Sequence, residues 1–169
     1  MNVGEQALRA AGLALAHALW SVSDLEGDAL CPLAIVGYAE SQPRLLRFEA
    51  PTQEQAIARA KREMARIRTS PWAFARDGII REGKESVDVL SVDCWEPGME
   101  APVIVMQRYL PSRGGGDFRL HGPIELVVSG RSVSEAAAAG AIQIVREGIL
   151  AHSNVAELLA KWQEHVSLW

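Results

Sequence analysis

Cysteine is scarce in this sequence, which contains only Cys31 and Cys94. Small secreted domains that depend on disulfide bonds carry more cysteines, at close and regular spacings. We therefore expect two reduced, buried thiols, since small apolar cysteine is among the most buried residue types. A bridge between the two residues is the alternative that the sequence leaves open.

An excess of positive charge is also missing. The 17 Lys and Arg residues are outnumbered by 21 Asp and Glu residues, which gives a formal net charge of -4. A general nucleic-acid-binding protein normally carries a basic excess that neutralises phosphates. The composition therefore predicts no nucleic-acid partner, and any basic surface has to be local.

No hydrophobic run is long enough to span a bilayer. The main candidate, residues 10–22, is shorter than the roughly 20 apolar residues of a membrane-spanning helix. It is interrupted by His17, it is preceded by Glu5 and Arg9, and no clean cleavage site follows it, which disfavours a secretory signal. These features predict a cytoplasmic protein without a membrane partner.

Motifs for catalysis, metal binding and phosphate binding are absent. Residues 78–85 contain two glycines and a lysine, but Glu85 stands where a phosphate-binding loop needs Ser or Thr, and a strand follows instead of a helix. The four histidines show no helical spacing of three or four, and no Cys-x-x-Cys or Gly-x-Ser-x-Gly motif occurs. Neighbouring Asp93 would raise the pKa of Cys94 and weaken it as a nucleophile. We expect no metal, no cofactor and no catalytic residue, and favour a non-enzymatic function.

What the chain does contain is the pattern of one α+β domain over residues 1–169. Its 49% hydrophobic residues are ample for a core. In the central stretch, β-branched and aromatic runs alternate with turn residues at 81–84 and 96–99, which is typical of antiparallel strands. In the run 86–95, the apolar residues change from one side of the strand to the other at Val89 and Leu90. This predicts a strand that is buried on both faces, or a bulge. Strands are predicted at 31–38, 44–49, 72–80, 86–95, 102–110 and 118–128.

Helices are predicted from apolar periodicity and from capping boxes, in which Ser, Thr or Asn precedes Glu or Gln by three positions. The expected fold is an antiparallel sheet of about five or six strands with helices packed on its faces, in the order α-β-β-α-β-β-β-β-α-α. The predicted helices cover about 5–20, the segment from the N-cap Thr52 to about 67, the segment from the N-cap Ser132 to 150, and a segment that begins near Asn154.

Polar residues near the end of the predicted sheet form the main candidate ligand site. If the hairpin register brings Asp93 or Glu96 close to Arg108, a cleft beside the tryptophans would bind a small polar ligand. Ordinary cross-strand ion pairing is the alternative, and it is more common. The candidate residues are Trp72, Asp88, Asp93, Trp95, Glu96 and Arg108, and the wider polar set includes Asp77, Gln107 and Tyr109.

A basic stripe on the second helix is the other candidate site. Arg59, Arg62 and Arg66 share one side of it, which suggests binding of RNA or another anion. No aromatic residue interleaves them to stack a base, so a solvated helix face with Glu-to-Arg pairing is the simpler interpretation.

The leading functional hypothesis is a cytosolic, non-enzymatic binding or assembly protein that forms a homodimer. It is motivated by apolar terminal regions and by five tryptophans in a short chain. The alternative is a small-molecule-binding protein or small enzyme that uses Asp88, Asp93, Glu96 and Arg108. A protein partner or a small polar ligand fits these hypotheses, and RNA binding through the arginine stripe is the third alternative.

Overall fold

The structure, a computed structural model, describes residues 2–38, 42–113 and 116–163. In these ranges the helices are α1 (Glu5–Ser23), α2 (Gln53–Arg66), α3 (Glu135–Leu150) and α4 (Ser153–Trp162). The strands are β1 (Leu33–Val36), β2 (Arg44–Arg47), β3 (Trp72–Glu82), β4 (Glu85–Trp95), β5 (Val103–Leu110), β6 (Arg119–Val128) and β7 (Arg131–Ser132).

All strands belong to one antiparallel sheet with the order β2-β1-β3-β4-β5-β6-β7. This confirms the predicted α+β class and, broadly, the order of elements, but the described sheet has seven strands instead of five or six. The additional strand is β7, which follows a two-residue turn at Ser129 and Gly130 with φ angles of 50° and 74°. Such turns suit tight hairpins because their twist matches that of the strands.

One face of the sheet, here called the covered face, is buried along the middle of its central strands. Because side chains alternate along a strand, Ala73, Val92, Cys94 and Val105 share this face, and each is 0% exposed. Helix α1 packs on strands β1, β3 and β4, while α3 and α4 pack on α1 and β6. The chain's own helices therefore provide the core on this side.

Helices α1 and α3 touch backbone to backbone. A Cβ atom at Gly12 would lie 2.1 Å from the carbonyl oxygen of Val145, and one at Gly148 would lie 2.3 Å from that of Arg9. Arg9 also forms an ion pair with Glu147 at 2.6 Å. Only glycine permits this approach, and the apolar side of α1 is buried within the same chain.

The opposite face of the sheet, the open face, is only partly covered. Helix α2 packs there through Met64, which lines a cavity together with Trp72 and Phe74. Beyond α2 the face carries ion pairs such as Arg76 with Asp93 at 2.7 Å. The sheet therefore has an apolar side under α1 and a mixed side under α2.

Within the described ranges, no helix has the length and apolar character needed to cross a membrane.

Candidate functional site

The strand register separates the polar residues that were expected to meet. Asp93 lies opposite Ile104, and Arg108 lies opposite Val89. Asp93 instead pairs with Arg76, and Arg108 pairs with Glu82 at 2.7 Å and with Glu125. The condition for the expected cleft, an approach of Asp93 or Glu96 to Arg108, is therefore not met. The register is strongly specified because a one-residue slip would turn the apolar side chains of β4 away from the covered face.

The side chains of Glu96 and Asp88 lie in two different environments. The Oε2 atom of Glu96 accepts a hydrogen bond from the backbone N–H of Ala7 at 2.7 Å. A carboxylate in this position caps α1 and complements the positive end of its dipole. Asp88 lies near the other end of β4, with Arg113 3.8 Å away. Glu96 therefore has an evident structural role.

Around Asp77 the structure does assemble part of the wider polar set. Tyr109 donates its hydroxyl proton to Asp77 at 2.8 Å, and the backbone N–H groups of Leu30 and Gly78 donate at 3.3 and 3.0 Å. Burial raises the pKa of Asp77, although these hydrogen bonds oppose the shift. Burial and the carboxylate also raise the pKa of Tyr109. Because its bonds are internal, Asp77 acts mainly as an anchor between the loop at Leu30 and β3.

Three of the predicted ligand residues do come together, in a two-lobed depression between α2 and the open face that we call the Trp72 cleft. Its lobes have volumes of about 190 and 240 Å³. Trp72, Met64, Ala65 and Pro102 line both lobes. The first lobe adds Lys61, Phe74 and Asp93, and the second adds Ile67, Arg68, Trp95, Glu100 and Ala101.

Strand pairing places the two tryptophans side by side. Trp72 and Trp95 lie directly opposite each other on β3 and β4, so both side chains project from the same face. Their rings stack with a centroid distance of 6.4 Å and an angle of 27°. The guanidinium carbon of Arg68, just after α2, lies 5.9 Å from the ring centroid of Trp95, within the range of a cation–π contact.

The two indole N–H groups differ in their hydrogen bonding. Trp95 donates to the carbonyl oxygen of Met99 at 2.9 Å. Trp72 is only 6% exposed, and its buried Nε1 atom has no hydrogen-bond acceptor in the described part of the protein. Buried donors are nearly always paired, so an unpaired one requires a specific explanation.

Charge at the cleft is mostly positive once internal ion pairs are considered. Asp93 is neutralised by Arg76, since their ion pair is short and largely buried. The remaining charged side chains that line the lobes are exposed: Lys61, Arg68 and Glu100. Two cations therefore face one anion, which favours a ligand with a negative group.

The predicted arginine stripe lies on the solvent side of α2. Arg59, Arg62 and Arg66 are exposed, and Arg59 pairs with Glu63 at 3.1 Å. The basic residues that reach the cleft are the flanking Lys61 and Arg68, which the sequence-based site did not include. Their proximity to the tryptophans depends on how α2 docks on the sheet, and local sequence carries no direct signal of that docking.

In the described ranges, His, Cys, Asp and Glu form no group of three or more that could hold a metal ion. No family model matches the sequence, and comparisons with curated proteins and with solved structures found no match either.

Proposed function

We propose that this protein binds a small planar anion, such as an aromatic carboxylate, in the Trp72 cleft. The observation that carries the proposal is the buried indole N–H of Trp72, which lacks an acceptor from the protein. A ligand oxygen would supply that acceptor after a small movement of the cleft wall, because the nitrogen is closed to solvent in this structure. The fixed hydrogen-bond donor and the flat indole surfaces around it would then orient the ligand.

The dimensions of the cleft are compatible with a single ring in each lobe. A cavity of about 150 Å³ is sufficient to hold benzene in a protein interior, and the lobes measure about 190 and 240 Å³. The ring would contact Trp72 together with Met64 and Pro102. Its negative group would lie toward Lys61 or Arg68, whose positive charges are the main source of electrostatic attraction.

Binding without chemical conversion is the preferred form of the proposal. Asp93, a carboxylate that lines the first lobe, is already engaged by Arg76 at 2.7 Å. Lys61 and Arg68 are exposed cations at the rim. This arrangement suits recognition of a ligand, and it supports the small-molecule alternative over the assembly hypothesis.

The sequence features that suggested assembly have another explanation within one chain. Helix α1 buries its apolar side against the sheet and α3. Trp72, Trp95 and Trp162 are buried, while Trp20 is 36% exposed. The homodimer and the cytoplasmic location stay predictions, and native mass spectrometry would report the subunit number together with any retained ligand.

The proposal is tested by titrating the purified protein with benzoate and indole-3-acetate in a calorimeter. Trp72→Phe removes the N–H group but retains an aromatic ring, and Trp20→Phe on α1 is the matched control. We expect one of the two anions to bind the wild type, and Trp72→Phe to weaken that binding about tenfold or more, as expected for a hydrogen bond to a charged group.

The control variant should bind like the wild type. Failure of both anions to bind at millimolar concentration would contradict the proposed ligand class. Equal affinity of Trp72→Phe and wild type would show that the indole N–H has no part in recognition.

A further inference from the structure

The second lobe of the Trp72 cleft carries one charge of each sign. Arg68, just after α2, and Glu100, in the loop between β4 and β5, both line this lobe. Both side chains are exposed at its rim. The first lobe has mainly apolar walls, which include Met64, Trp72 and Phe74. The cleft therefore has an apolar end and an end that offers a positive and a negative group.

Trp95 places these two charges around the second lobe. The guanidinium carbon of Arg68 lies 5.9 Å from the ring centroid of Trp95. The indole N–H of Trp95 donates to the carbonyl oxygen of Met99 at 2.9 Å, and Glu100 follows Met99 directly in the chain. One buried side chain therefore contacts the guanidinium and also holds the backbone next to the carboxylate.

Neither of the two charges is neutralised by the protein. In the described part of the chain, Arg68 and Glu100 form no ion pair with each other or with a third residue. Asp93 in the first lobe differs, because it is paired with Arg76. A ligand that itself carries both signs can complement Arg68 and Glu100 together.

We propose that the ligand of the Trp72 cleft is an aromatic α-amino acid, with its ring in the first lobe and its charged groups in the second. The ammonium group contacts Glu100, and the carboxylate lies between Arg68 and the indole N–H of Trp72. This inference rests on the proposed function, because the carboxylate of the amino acid is the negative group of the ligand proposed there.

The shape of the cleft fits a molecule of this kind. Four residues line both lobes, Met64, Ala65, Trp72 and Pro102, so one ligand can extend from the first lobe into the second. The first lobe measures about 190 Å³, and a cavity of about 150 Å³ is sufficient for benzene. A phenyl ring therefore fits the first lobe. A single methylene group joins it to the carbon that carries the ammonium and the carboxylate.

Simpler ligands complement the cleft less completely. An anion without an ammonium group would lie beside Glu100, whose like charge repels it. An amine without a carboxylate would leave Arg68 without a counter-charge and the buried indole N–H of Trp72 without an acceptor. Glu100 is therefore the residue that selects an amino acid over a plain aromatic carboxylate.

The experiment compares three ligands that share a phenyl ring and differ in charge. L-Phenylalanine carries both charged groups, 3-phenylpropionate lacks the ammonium, and phenethylamine lacks the carboxylate. Each is titrated into the full chain in a calorimeter. We expect L-phenylalanine to bind the wild type about two- to fivefold more tightly than 3-phenylpropionate, the range expected for an exposed ion pair. Phenethylamine should bind most weakly of the three.

Glu100→Gln tests the proposed contact with the ammonium group, because it removes the charge and retains the size of the side chain. We expect it to weaken L-phenylalanine, whereas 3-phenylpropionate should bind at least as tightly as before because a repulsive charge is gone. A variant that merely disturbs the fold would weaken both ligands. Glu54→Gln is the matched control, since Glu54 lies in the first turn of α2 and outside the lining of both lobes.

The inference is overturned if 3-phenylpropionate binds the wild type as tightly as L-phenylalanine, or if Glu100→Gln changes both affinities equally. The proposed function survives either result, provided that Trp72→Phe weakens 3-phenylpropionate. A different result, in which neither carboxylate binds the wild type at millimolar concentration, would overturn the proposed function itself and the inference with it.

Discussion

His17 on α1 and His152 before α4 are 135 positions apart in the chain, yet their ring nitrogens lie 3.4 Å apart. The guanidinium of Arg47 on β2 lies 3.2 Å from the outer nitrogen of His17. At the other end, the N–H of Val155 donates to Nδ1 of His152 at 3.4 Å. The rings of both histidines also contact Trp20.

Two neutral imidazoles cannot satisfy all three contacts in this chain. Each neutral ring has one donor and one acceptor, whereas Arg47 and Val155 both act as donors at the two ends. At most two of these three contacts are therefore hydrogen bonds. A proton added to His17 would turn both of its ring nitrogens into donors, and only one of the three contacts would then be a hydrogen bond. Protonation would also place a positive charge beside Arg47, so the neutral forms are favoured in the folded state.

We therefore expect acid to weaken the fold through this pair. Burial lowers the pKa of His17, with smaller contributions from Arg47 and His152, and burial also lowers the pKa of His152. The folded state then binds fewer protons than the unfolded state, so stability falls as the pH drops through the ordinary value of 6.5. Urea unfolding of the wild type at pH 7.5 and pH 5.5 should show this loss.

His17→Gln keeps a polar group but cannot titrate, and its loss of stability between the two pH values should be smaller than that of the wild type. His121→Gln, at an exposed position on β6, is the matched control. An unchanged pH dependence in His17→Gln would contradict the argument.

At the scale of elements, the contact of α1 with α3 depends on two glycines. A methyl group at Gly148 would lie 2.3 Å from the carbonyl oxygen of Arg9, whereas one at Gly140 on the same helix meets no atom within 4 Å. Alanine favours helix over glycine by about 1 kcal/mol where it fits. The same substitution should therefore have opposite effects at the two positions.

We expect Gly148→Ala to lower the free energy of unfolding by about 1–3 kcal/mol, the usual range for overpacking, and Gly140→Ala to raise it by about 0.5–1 kcal/mol. Chemical denaturation of both variants measures the difference. Equal effects would mean that α1 and α3 do not approach as closely as the structure describes.

Local signals in the sequence predicted several elements correctly. The N-cap at Thr52 is confirmed, since its Oγ1 accepts from the N–H of Gln55 at 3.2 Å. In β4, Val89 and Leu90 are buried on opposite faces, so the shift in apolar phase reflects burial on both sides. These features depend on neighbours in the sequence, and the sequence therefore carries enough information to predict them.

Two helix starts were predicted at the wrong residue, because another local contact competed with the expected cap. Ser132 belongs to β7 and pairs with Val127 on β6, so the N-cap of α3 is Ser134 instead. The N-cap of α4 is His152, immediately before Ser153, where the helix begins. In the candidate site, Trp72 and Trp95 were predicted together correctly, but the positions of Glu96 and Arg108 depend on the packing of α1 and on the register between β4 and β5.

At the scale of the whole molecule, the fold shields the two cysteines to different degrees. Cys94 lies on the covered face and is 0% exposed, while Cys31 is half-buried; both are free thiols. Burial raises the pKa of Cys94, and nearby Asp93 and Glu96 add to the effect. Only the thiolate form reacts readily.

We predict that Ellman's reagent will modify one thiol of the native protein quickly and the second only when the protein unfolds. The slow phase should accelerate in urea in parallel with the loss of tryptophan fluorescence, because Cys94 becomes accessible through global opening. In Cys31→Ser the fast phase should disappear. Two fast thiols in the wild type would show that α1 does not seal the covered face.

The docking of α1 on α3 also has a consequence for biosynthesis. Ribosomes add about 5–20 residues per second, so the 111 residues between these helices, 24–134, require about 6 to 22 s. During that interval the nascent chain holds α1 without its helical partner, and its apolar side is available to chaperones. Production of this protein should therefore depend on what happens to α1 before α3 has been translated.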